Sequence, residues 1–169
     1  GPAAYRSGFS VDEAARELAL LAGLAPGKPH ELALLTTLGV RHLGGYDAGE
    51  FTGVLLADGP WAGAAHLRVG DFDGDGLEDL LAMSSANEVL RLEDLRSAAH
   101  TIVLAQPQPV YDLAALDWDG VAPDEVAVLR ADGLFVLDAA GAVVHGVALP
   151  VAGGILAPFR EPDAHGERC

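Results

Sequence analysis

Short apolar runs broken by turn residues fill the chain from about residue 17 to residue 149: ELALL, DLLAM, EVLRL, TIVLA, EVAVL, LFVL and AVVHGVAL are the clearest. Runs of this length, bounded by Gly, Asp, Asn and Pro, predict strands rather than helices. Asp132-Gly133 and Ala140-Gly141 mark hairpin turns. One segment reads two ways. In SVDEAARELALLAG (10–23), Ser10 and Glu13 fit a capping box and Ala-Arg-Glu-Leu favours helix. The repeat described next makes 17–22 a strand, and repeated context outweighs local propensity.

An acidic residue followed at once by an apolar strand recurs at Glu31, Asp79 and Glu125, spaced 48 and 46 residues apart. YDLAALDWDGVAPDEVAVL (111–129) lies over ELALLAGLAPGKPHELALL (17–35) without a gap, with Pro123 and Pro29 each two residues before the Glu. HLRVGDFDGDGLEDLLAM (66–83) has the same outline. Each junction leads into three short strands and follows one. Four strands in roughly 47 residues is the size of one β-propeller blade. The expected organisation is an N-terminal tail (1–14), three repeats (15–62, 63–108 and 109–155) and a C-terminal tail (156–169). The fold expected is all-β, three four-stranded blades of a partial propeller.

Charge narrows the partners. Lys and Arg number 10 against 25 Asp and Glu, a formal net charge of −15. Such a surface repels phosphate, so nucleic acid and anionic membranes are excluded and cations are the natural counter-charge. No apolar run reaches the ~18 residues that span a bilayer, so no membrane insertion is expected. The single cysteine, Cys169, rules out an internal disulfide and has no fixed surroundings to make it a nucleophile. Gly1-Pro2 matches the remnant a protease leaves, so export cannot be read from this chain.

The chemistry concentrates in VGDFDGDGLEDLLAMSS (69–85). Counting Asp71 as position 1, carboxylates fall at 1, 3, 5 and 9 (Asp71, Asp73, Asp75, Asp79), and Leu77 offers a backbone carbonyl at 7. Gly74 and Gly76 let the chain curl so that these oxygens converge. A hard cation with six to eight oxygen ligands suits such a ring, Ca²⁺ before Mg²⁺. An EF-hand would need a Glu at position 12 and flanking helices, but position 12 is Ala82 and the flanks read as strands. A solvated acidic turn without an ion is the plain alternative.

D-x-D-G-D-G-x-x-D followed by an apolar strand resembles the FG-GAP/VCBS repeats of integrin-α-like β-propellers. The likeness covers roughly residues 15–155. It implies that Asp71, Asp73, Asp75, the Leu77 carbonyl and Asp79 bind Ca²⁺ at the junction of two adjacent strands. The third repeat keeps Asp117, Asp119 and Glu125 but has Val121 at position 5, so a weaker second site is expected. The first has Gly23, Ala25 and Gly27 where acids should be, and no metal is expected there.

Position 2 is aromatic in two repeats, Phe72 and Trp118, which predicts a side chain packed beneath each loop. Trp61 and Tyr46, in inter-blade loops, are candidate ligand-binding aromatics, although core packing is the better reading of Trp61. The six histidines show no H-E-x-x-H or paired Cys/His spacing for zinc. Ser84-Ser85 lack G-x-S-x-G, and GDFDGDG lacks the Lys-Ser/Thr of a phosphate loop. The expectation is a non-enzymatic Ca²⁺-binding module that recognises a protein or glycan, extracellular or periplasmic. A carbohydrate-binding lectin and an accessory segment of a larger enzyme are the alternatives. Three blades do not close a ring, so the chain is expected to be part of a longer propeller or to pair as a homodimer completing six blades.

Overall fold

The computed structural model describes residues 14–21, 31–47, 50–95 and 99–149, the side chains of residues 44–54 excepted. Among the described residues the chain is all-β, with one 3-10 turn at Gly59–Trp61 and no α-helix. The first sheet holds β1 (Ala15–Leu21), β2 (Glu31–Thr36), β3 (Val40–Asp47) and β4 (Glu50–Ala57). The second holds β5 (Ala65–Gly70), β6 (Asp79–Met83), β7 (Glu88–Glu93) and β8 (His100–Ala105). The third holds β9 (Val110–Leu116), β10 (Glu125–Arg130), β11 (Gly133–Leu137) and β12 (Val143–Ala148). Within each sheet every strand pairs antiparallel with the next in the chain, so each sheet is an open four-stranded meander.

Glu31, Asp79 and Glu125 each open the second strand of their sheet. The register corrects the gapless alignment by one residue. Gly70 pairs with Asp79 and Leu116 with Glu125, but Leu21 pairs with Glu31, so the first connection is one residue longer. Over Ala15–Leu21 the chain is strand, not helix. Leu18 and Leu20 are exposed while Leu21 is buried, the alternation a half-covered strand requires. Pairing with β2 supplies backbone hydrogen bonds that override the helix-forming composition.

β1 lies against β5, and β5 and β6 lie against β9, so the first strands of successive sheets are neighbours. Two apolar layers fill the gaps. Leu21, Ala33, Leu35, Leu67, Leu80, Ala82 and Leu92 form the layer between the first two sheets. Phe72, Leu81, Val89, Leu113, Val126, Val128 and Leu137 form the layer between the second and third. β6 and β10, covered on both faces, read as continuous apolar runs for that reason. Polar ties join the first strands. Glu17 accepts the His66 and Leu67 N–H groups at 2.7 and 2.8 Å. His66 Nδ1 and Arg68 Nη2 meet the buried Asp112 carboxylate at 2.7 and 3.1 Å, and Arg68 Nε donates to the Leu113 carbonyl at 3.0 Å.

Trp61 is fully buried in the first layer, and its Nε1–H donates to Thr101 Oγ1 at 3.0 Å. It therefore presents no ring face to a ligand, which corrects its place among the candidate binding aromatics. Burying the largest side chain and pairing its indole nitrogen leaves no unsatisfied polar group. The side chain of Tyr46, in β3, lies outside the described residues.

Candidate metal centre

The acidic loop runs from the end of β5 to the start of β6, so strands flank it on both sides. Gly74 and Gly76 take φ of +80° and +81°, which only glycine adopts without strain. Each carboxylate also organises the backbone ahead of it. Asp71 accepts the Gly74 and Gly76 N–H groups at 2.8 and 3.0 Å, Asp73 accepts that of Asp75 at 2.9 Å, and Asp75 accepts that of Leu77 at 2.7 Å. Asp79 accepts the buried Phe72 N–H at 3.1 Å. The turn is thereby wound around its own side chains.

Asp71, Asp73 and Asp79 bring one oxygen each within 4.8 Å of one another. Asp73 and Asp75 make a second such group with Asp94, at the end of β7. The spacing of the acidic motif does not reach Asp94. Aligning the repeats does not single it out either, because in register Asp138 of the third sheet holds the place of Glu93.

Burial pushes the Asp79 carboxyl up to about 7; Asp73, Glu93 and Asp75 add repulsion, and the Phe72 N–H offsets part of it. Such a carboxyl is held in a place that disfavours its own charge unless a cation arrives. A set of hard oxygen donors with excess negative charge fits a divalent cation of the Ca²⁺ class.

The loop of the third sheet repeats the frame. Gly120 and Val121 N–H groups donate to Asp117 and Asp119 at 2.7 and 2.9 Å, and the Trp118 N–H to Glu125 at 2.7 Å, as Phe72 does to Asp79. Asp117, Asp119 and Glu125 also bring oxygens within 4.8 Å of one another. Val121, at position 5, is 65% exposed and offers no oxygen from its side chain. Asp119, Glu125 and Asp138 border a concavity of about 310 Å³ beside this loop. The two loops touch: Asp124 accepts the Asp71 N–H at 3.0 Å and returns its own N–H to the Asp71 carbonyl at 2.7 Å. Sequence reasoning missed Asp124, which carries no signal without knowledge that the two loops are neighbours.

Residues 23, 25 and 27 of the first repeat lie outside the described residues. Its surviving acid, Glu31, meets His42 Nε2 at 3.0 Å. The position-2 aromatics diverge. Phe72 is fully buried between the second and third sheets, whereas Trp118 is 54% exposed and stacks on His145 at 5.1 Å. Expecting both to be packed beneath their loops was wrong for Trp118: among the described residues no further sheet follows the third, and its ring rests against His145 instead. No protein-family model matches this chain, and no curated protein sequence matches it.

Proposed function

We propose that the chain is a calcium-binding recognition module, three FG-GAP/VCBS-like blades of a β-propeller, without catalytic activity of its own. The observation that carries the reading is the convergence of Asp71, Asp73 and Asp79 around a pair of left-handed glycines. Asp75 and the Leu77 carbonyl complete the proposed donor set, and Asp117, Asp119 and Glu125 form the weaker second site. The ion would neutralise carboxylates that the fold crowds together and fix the β5–β6 connection. By binding only the folded chain it would add to stability. The radial neighbourhood of β1, β5 and β9 supports the propeller reading. An extracellular or periplasmic setting, rich in Ca²⁺, suits a loop that needs its ion.

The proposed ligand is a protein or a glycan. A glycan array run with and without Ca²⁺ separates the two classes of partner.

Calorimetry of metal-stripped protein titrated with Ca²⁺ tests the ion. Wild type gives a tight event that Asp73→Ala abolishes. Equal heats in both proteins refute the site.

A further inference from the structure

The face of the first sheet turned away from the second is open. Leu18 and Leu20 are 61% and 55% exposed, and their partners across the β1–β2 pair, Leu34 and Leu32, are half-buried. In register these four correspond to Leu113, Ala115, Val128 and Val126 of the third sheet, which pack against the second sheet with Phe72 and Leu81. The corresponding positions of the second sheet include Leu67, Leu80 and Ala82, which pack against the first. One face is thus covered in two sheets by the sheet before it and uncovered in the first.

The chain also carries the counterpart of that junction. Trp118 holds the position of Phe72, and Val147 holds that of Leu104, which packs into the same layer as Phe72. Both are about half exposed. Further in on this face, Ala127, Leu129 and Val136 are already covered within the chain, so its open part is the rim of Trp118, His145 and Val147. We propose that a second copy of this chain docks here head to tail. The leucine face of one copy's first sheet seats on the Trp118 rim of the other's third sheet, and Trp118 meets Leu18 and Leu20 as Phe72 meets Leu113 and Ala115. A second copy is favoured over an unrelated partner because the leucine face and the aromatic rim that matches it at the junctions between sheets are both exposed on one chain. Packing the leucine face on its own copy would leave both aromatic rims uncovered. With a net charge of −15 the copies repel, so salt strengthens the contact. No cation takes part, which separates this inference from the calcium reading.

Sedimentation equilibrium of the whole chain tests it, in chelator and up to roughly 1 mM, the weak limit for a specific junction. Wild type associates, more tightly at higher salt. L18T/L20T, whose threonines keep strand propensity, and Trp118→Ser, in an exposed loop, each weaken association by about tenfold or more, as loss of a central anchor does. Far-UV circular dichroism confirms that both variants fold. A mixture of the two forms a 1:1 heterodimer, since each retains the half the other lacks. A wild type that stays monomeric, undiminished association in the Trp118 variant, or a mixture that fails to pair would each overturn the proposal.

Discussion

Asp79→Asn is the sharpest single perturbation of the acidic loop. The native carboxyl is 2% exposed and is pushed from 3.8 to about 7. Between those two values the folded chain binds a proton that the unfolded chain has released, so stability of the metal-free protein falls as pH rises through this window. At about 1.4 kcal/mol per pH unit, ionising Asp79 costs the fold up to ~4 kcal/mol once pH is well above 7. Asparagine keeps the oxygen that accepts the Phe72 N–H and removes the charge. Metal-free Asp79→Asn is therefore more stable than wild type at pH 8 by a substantial part of that figure, and the advantage shrinks towards pH 4. Excess Ca²⁺ at pH 8 reverses the order, raising wild type and leaving the variant almost unmoved. Urea denaturation at pH 4, 5, 6, 7 and 8, with chelator and then with Ca²⁺, reads all of this. Parallel pH profiles for the two chelated proteins, or an equal gain from Ca²⁺, would refute the reasoning.

Three further outcomes are expected from denaturation measurements. Trp61→Ala empties the largest buried side chain and strands the Thr101 hydroxyl, costing about 3–5 kcal/mol. Gly133→Ala drives a Cβ into the Val147 carbonyl oxygen at a φ of +153°, so it destabilises by more than the ~1 kcal/mol of an ordinary strand substitution and disturbs the β11–β12 pairing. Asp124→Ala removes the acceptor of the Asp71 N–H and costs about 1–3 kcal/mol, and it weakens Ca²⁺ binding in calorimetry because Asp71 loses its tether to the third sheet.

The repeat was legible because its marker is physical. An acid that ends a turn and starts an apolar strand marks the same place in each repeat, so Glu31, Asp79 and Glu125 locate β2, β6 and β10 to the residue. The strand at Ala15–Leu21 was legible only through that repeat, since its own residues favour a helix. The acidic loop was legible as chemistry because its oxygens and glycines are contiguous. What stayed hidden depended on neighbours distant in the chain. Asp94 reaches the loop from the far end of β7, and Asp124 reaches it from another sheet. Phe72 and Trp118 hold one position and differ in fate, Phe72 being buried in the layer between the second and third sheets and Trp118 half exposed against His145.

The three sheets also answer one electrostatic demand differently. The strand that pairs with β2, β6 or β10 places His42, Arg91 or Val136 at equivalent positions, opposite Ala33, Leu81 and Ala127. In the first sheet His42 reaches the junction acid Glu31 directly. In the second, Arg91 meets Glu93 at 3.0 Å instead, and Glu93 then adds to the repulsion on Asp79. In the third, Val136 brings no charge, and Glu125 has the Trp118 N–H and two neighbouring aspartates. A side-chain partner for the junction acid is therefore built in where the loop has lost its acids and missing where they remain. The middle loop has the most carboxylates, and the guanidinium at the equivalent position meets another acid. An external cation has most to neutralise there, less at Asp117, Asp119 and Glu125, and least at Glu31, where an imidazole already stands.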